Sequence, residues 1–278
     1  MSIRKKLKTE FTNALTNSSC CYGNMPESFD RFIDKLVLLK KTGRYDRFFK
    51  DLLKCNDMSN MKSLIAEAAF AYEFESKSEK LEYEAKQLEG KGSSVDFLWK
   101  LPDLAMDVYF EQRLILKSNP VSKINLYERS EITRPQSKIL RKCQNKKGEL
   151  VKFFNKDSSS IHIIVVDNSS GISCMFDKID CSLAVYGDQY VNDFFKRDVF
   201  GFFQPESVNM SPEQKEFNDT YANLRSIIHG VLFIKKLPED DPLDFHYAYY
   251  FTPNYNLIDK NKAQKLAKRL SKILPIWN

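Results

Sequence analysis

An α/β fold with a mixed central sheet flanked by helices follows from three features of this sequence. Residues 161–167 (Ile-His-Ile-Ile-Val-Val-Asp) form a near-continuous apolar run closed by Asn168-Ser169-Ser170-Gly171. That pattern predicts a strand buried on both faces, hence central and parallel to a neighbour. Residues 80–87, 94–99 and 105–115 are three strand-like stretches separated by turn residues, which predicts an antiparallel meander. Apolar stripes at helical spacing stand before, between and after these strands, so the sheet has helices to cover it.

Taken in order, Ile3 to Leu15 reads as a first helix. Phe29, Phe32, Ile33, Leu36 and Val37 mark a second that ends before Gly43, and Tyr45, Phe48, Phe49, Leu52 and Leu53 a shorter third. Residues 1–56 are therefore expected to be a helical N-terminal extension on an α/β core of residues 57–278. Its cations Lys40, Lys41, Arg44, Arg47 and Lys50 admit two readings, a substrate-contacting arm or a solvated face, of which the second is favoured. Asp57 or Ser59 caps the helix that carries Glu67, whose alanines at 66, 68, 69 and 71 allow close packing on a sheet. Glu89-Gly90-Lys91-Gly92 and Leu101-Pro102-Asp103 are the turns of the meander. After the loop around Pro120, a basic helix is expected from Pro135 to about Lys147, and helical character continues over Met175 to Lys196. Ser211-Pro212-Glu213-Gln214 is a helix start with cap, first-turn proline and capping-box residue in place. Strands are expected over 227–235 and 245–251. Asp259 caps a terminal amphipathic helix with Ala263, Leu266, Leu270 and Ile273 inward.

Composition excludes several classes. With 42% hydrophobic residues among 278, the chain builds a sizeable core and is not disordered. No run of 18 apolar residues predicts a membrane span, and no apolar segment follows the basic start, so no secretory signal is expected. The six cysteines form no Cys-x-x-Cys and read as thiols of a cytoplasmic protein. The excess of 43 basic over 37 acidic residues, +6, is compatible with nucleic acid without requiring it. Phosphate-loop, dinucleotide-binding and nucleophile-elbow motifs are absent, and His162, His229 and His246 are too far apart to form a local ligand set.

Four polar residues stand where a core needs none: Glu67 on its helix, Asp96 on the second strand, Glu111 and Arg113 on the third. Strand alternation puts Glu111 and Arg113 on one face and Val108, Phe110 and Gln112 on the other. Asp96 lies 15 positions before Glu111, the length of one antiparallel return, so their carboxylates are expected to converge. Converging carboxylates repel unless a cation lies between them, and hard divalent ions suit oxygen donors.

This layout resembles the PD-(D/E)XK, or restriction-endonuclease-like, nuclease superfamily, whose pattern is a helix Glu, a strand Asp and then (Asp/Glu)-x-Lys. Here the matching residues are Glu67, Asp96 and Glu111-Gln112-Arg113, within a likeness that runs to about Asp167. The resemblance implies a metal-dependent endonuclease, a hydrolase of phosphodiesters in nucleic acid. Mg²⁺ or Mn²⁺ would be held by Asp96 and Glu111, with Glu67 as an additional ligand, direct or through water. Arg113 departs from the pattern, since it keeps its proton at any working pH and cannot act as a base. It remains a donor for phosphate. Lys138 and Lys142 lie one turn apart on the expected helix, as phosphate ligands or as the source of the missing amine. Two alternatives stay open: a catalytically inactive nuclease-fold binding or scaffold protein, and an unrelated α/β protein with Asp96 and Glu111 at its surface.

Overall fold

The computed structural model describes residues 2–20, 26–85, 94–114, 136, 139–144, 149–153, 157–167, 178–188, 199–204, 210–236, 243 and 247–277. Four helices come first: α1 (Ile3–Asn17), α2 (Pro26–Lys41), α3 (Asp46–Lys54) and α4 (Met58–Ser76). Ser2 caps α1, and Asp57 rather than Ser59 caps α4, accepting the Asn60 N–H at 2.7 Å. Strands β1 (Leu81–Ala85), β2 (Val95–Leu101) and β3 (Met106–Leu114) follow, the last two joined by a 3₁₀ turn, Pro102–Leu104. Ala105 closes that turn in the left-handed region, φ +49°. Then come β4 (Ser160–Asp167), α5 (Lys178–Tyr186), the short pair β5 (Gly187–Asp188) and β6 (Val199–Phe200), α6 (Pro212–Arg225), β7 (Gly230–Lys236), β8 (Tyr247–Pro253) and α7 (Lys260–Ile273). Residues 136 and 139–143 are helical, as expected, but the helix expected to run to about Lys147 gives way at Gln144, which bridges antiparallel to Leu150; Lys138 and the turn at 89–92 lie outside the described residues.

Six strands form one mixed sheet in the order β1-β2-β3-β4-β7-β8. β1, β2 and β3 pair antiparallel, β4 runs parallel to both β3 and β7, and β8 returns antiparallel on β7. The apolar run 161–167 is thus a central parallel strand, and every residue of β4 is buried. Several expected boundaries shift, β8 for one running to Pro253 rather than 251. The strand expected from Ile227 begins at Gly230, because residues 226–229 carry the turn out of α6. Helical character after Met175 is described only over α5, which gives way at Gly187 (φ +69°) to β5.

Helices cover both faces. On the first face, Phe97, Trp99, Val108, Phe110, Ile163 and Val165 share one apolar cluster with α1 to α4 and α7. On the second, Leu98, Tyr109, Ile164, Val166, Val231 and Phe233 pack with Ile139, Cys143, α5 and α6. Among the described residues no helix is long and apolar enough to cross a membrane.

Candidate functional site

The site grows from the open end of the β2–β3 ladder. The last pair is Phe97 opposite Phe110, so the next step brings Asp96 opposite Glu111. Main-chain pairing gives way to a side chain there: the Gln112 N–H donates to Asp96 Oδ2 at 2.6 Å. Asp96 and Glu111 share the parity of Leu98 and Tyr109, which face the second apolar cluster. Gln112 faces the other way and donates through Nε2 to Asp167 Oδ2 at 3.1 Å, so Asp167 is a buried acceptor as well as the end of a strand.

Glu67 reaches this place from α4, on the first face. Its Oε2 accepts the Tyr83 hydroxyl at 3.1 Å. The backbone of β1 is left-handed at Glu84, φ +48°, and the next residue, Ala85, joins the second-face cluster although Tyr83 packs with the first. A left-handed non-glycine residue is strained, and such strain gathers at functional sites. Glu84 is ion-paired to Arg47 of α3. Burial pushes its carboxyl above the ordinary range, Arg47 opposes this, and the charges of Asp51 and Asp96 add to it.

Burial, then the charge of Asp96, drives the Glu67 carboxyl well above its usual range, against the opposing pull of Lys142 and Tyr83. Burial and Asp96 likewise push Glu111 up to about 7. Glu111 is fully buried, and two ammonium groups partly offset the cost. Lys142 Nζ lies 2.8 Å and Lys152 Nζ 3.0 Å from Glu111 Oε1. Glu111 Oε2 has no hydrogen-bond partner among the described residues. The Lys142 ammonium is held above its ordinary range by Asp96 and Glu111, which outweigh its own burial.

Of the residues singled out from the sequence, Glu67, Asp96, Glu111 and Lys142 therefore feel one another's charge. Arg113 is half-buried, two positions beyond Glu111, and its Nε is buried without a hydrogen-bond partner among the described residues. Lys142 lies against Glu111 rather than standing free for a phosphate. Sequence reasoning missed Lys152 and the role of Glu84. Lys152 belongs to no periodic stretch, and within the strand-like stretch 80–87 Glu82, Glu84 and Lys86 alternate with Leu81, Tyr83 and Ala85, a pattern that marks Glu84 only as outward-facing.

The oxygen donors suit a hard cation that keeps part of its water, as Mg²⁺ does. Asp96 spends one oxygen on Gln112, and Glu111 leaves Oε2 without a partner. Among the described residues, no three His, Cys, Asp or Glu side chains are placed to hold a metal together. The donor set at the sheet end is the Asp96–Glu111 pair, whose charges Glu67 also feels. Fold and site define a mixed α/β protein with an acidic pair at a sheet end, met by two lysines. No family model, curated protein or solved structure matches the chain.

Proposed function

We propose that the chain is a metal-dependent phosphodiesterase of restriction-endonuclease-like architecture, acting on nucleic acid. The observation that carries this reading is the convergence of Asp96 and Glu111 at the end of β2–β3, with an amine from the following helix, Lys142 Nζ, 2.8 Å from Glu111. The amine absent from β3, where Arg113 stands, is thereby supplied from another element. Asp96 and Glu111 would hold Mg²⁺ or Mn²⁺, which when bound offsets phosphate charge and acidifies a water. Lys142 orients a nucleophilic water by donating to it and favours the ionised form of Glu111 against burial. Arg113 donates to a non-bridging phosphate oxygen, the task for which its planar fork is suited. Glu67, braced by Tyr83, accepts a hydrogen bond from water on the α4 side.

Cleavage of single- or double-stranded DNA or RNA should require Mg²⁺ or Mn²⁺ and vanish with chelator. Asp96→Ala and Glu111→Ala should each abolish it while circular dichroism stays native. Activity that persists in both variants overturns the assignment. A second reading, an inactive nuclease-fold binding module, draws on one observation: Lys142 and Lys152 already neutralise Glu111 without any metal. Absence of cleavage on every substrate, with metal present, decides for it.

A further inference from the structure

A cleft of about 410 Å³ lies between α3 and the first turns of α4, and Glu67 belongs to its wall. Lys50 and Lys54 line it from α3, one helical turn apart. Residues so spaced lie side by side on a helix, about 5–6 Å between Cβ atoms. Three other cations near α3 are committed: Lys40 pairs with Asp46, Arg44 with Glu75, Arg47 with Glu84. Lys50 and Lys54 are exposed and have no ion pair among the described residues. Asp51, also on α3, adds an acceptor; Asn56 in the connection and Asn60 and Ser63 on α4 add amide and hydroxyl groups, which donate and accept.

We infer that this cleft binds a segment of single-stranded nucleic acid leading to the Asp96–Glu111 centre, with successive phosphates on Lys50 and Lys54. The inference rests on the phosphodiesterase reading and adds to it the form of the substrate. Size argues for a single strand, since the cleft is at the lower end of the roughly 300–1,000 Å³ that holds a small ligand. That is room for a nucleotide unit and not for a duplex. Chemistry agrees, because a strand whose bases are unpaired offers its edges to Asn56, Asn60 and Asp51. Among the described residues no aromatic side chain lines the cleft to stack a base, so backbone charge and polar edge contacts carry the recognition. Arg47, tied to Glu84 beside the acidic centre, anchors the α3 wall to the sheet that bears the site.

The test is fluorescence anisotropy with labelled single- and double-stranded 20-mers of DNA and RNA, across a salt series with Ca²⁺ present. Wild type is compared with Lys50→Ala/Lys54→Ala, with Lys50→Arg/Lys54→Arg, and with a control pair on exposed α7 positions, Lys265→Ala/Lys268→Ala. The alanine pair should weaken single-strand binding about tenfold and flatten the salt slope by about 1.4, at about 0.7 per lost phosphate contact. The arginine pair should restore both, and the α7 pair should change neither. Single-strand binding equal in wild type and the alanine pair overturns this inference and leaves the phosphodiesterase reading standing. A duplex preference that depends on the two lysines overturns the single-strand assignment. No binding of any nucleic acid by wild type overturns the inference together with the reading beneath it.

Discussion

At the scale of single residues, the chemistry turns on which cation serves Glu111. Arg113 is on β3 as the sequence places it, yet the groups on Glu111 Oε1 are Lys142 and Lys152. If Arg113 clamps phosphate in a live centre, Arg113→Lys should retain or raise metal-dependent cleavage, and Arg113→Ala should lose both binding and turnover. In a binding module Arg113→Lys changes neither. Side-by-side cleavage and binding assays of the three proteins separate the cases. Lys142→Ala should lower cleavage by about a hundredfold, the scale of removing one preorganised donor. Lys152→Ala should keep more activity, because Lys142 stays in place. Equal losses would show that the two ammonium groups merely neutralise Glu111. The sequence shows Asp96, Glu111 and Arg113 because strand parity is written two residues at a time. It does not show Lys152, which meets Glu111 from 41 positions further along the chain and follows no local period.

At the scale of elements, one carboxylate ties the helical N-terminus to the sheet. Glu75, near the end of α4, is ion-paired to Arg44 and accepts the Tyr45 hydroxyl at 2.8 Å and the Leu81 N–H at 3.2 Å. The junction before α3, the end of α4 and the start of β1 thus meet on one side chain. Burial, then Glu75, pushes the Tyr45 phenol up. Glu75→Ala leaves buried donors unmatched and should cost about 3 kcal/mol, the lower range for breaking a buried ion pair. Urea unfolding followed by circular dichroism measures it. A loss within about 0.5 kcal/mol, as at an ordinary surface position, would show that α2 and α3 dock independently of this contact. The elements themselves were largely legible. Caps at Asp57, Ser211 and Asp259 mark three helix starts, each with its side chain on the N–H three residues on. The left-handed turn at Glu84 was not legible, because a glutamate carries no signal for positive φ.

At the scale of the whole molecule, buried titratable groups oppose one another as pH changes. His162 and His229 meet where β4 enters the sheet. The His162 N–H donates to His229 Nδ1 at 3.1 Å, and the His229 N–H to the His162 carbonyl at 2.8 Å. His162 Nδ1 lies 3.0 Å from the Ile227 carbonyl, which can only accept, so that nitrogen carries the proton. Burial, then His229, lowers His162 to about 4; burial also lowers His229 to about 4. Both are favoured neutral when folded, whereas the unfolded chain takes up protons near 6.5. Their contribution is present above about 6.5, falls as pH drops toward 4 and is lost below it. Glu73 works in reverse. Burial raises it to about 7 against the pull of Lys35 and Lys77. The folded state therefore holds its proton between about 4.5 and 7, and that contribution is full below 4.5 and lost as pH rises through 7. Replacing His162 with glutamine should make stability fall less, or rise, between pH 6.5 and 4.5. Glu73→Gln should flatten the rise on acidification from pH 7. Denaturant midpoints at pH 7.5, 6.0 and 4.5 for the three proteins measure both slopes, and an unchanged slope for His162→Gln would refute the depressed histidine.

By itself the sequence determined what repeats at short range. Apolar period decided which stretches are strands and which are helices. The near-continuous apolar run 161–167 decided that one strand is central, and parity put Glu111 and Arg113 on one face. These outcomes depend on backbone geometry and on burying apolar side chains, which act within a few residues. Only the tertiary structure decided which charges meet. Glu67 comes from the helical side to a sheet end rolled over at Glu84, Lys142 and Lys152 arrive from separate segments, and α3 leaves two unpaired lysines along a cleft that Glu67 helps to line. Charges act through space and in inverse proportion to distance, so their effect is set by where the folded chain brings them and not by their spacing along it.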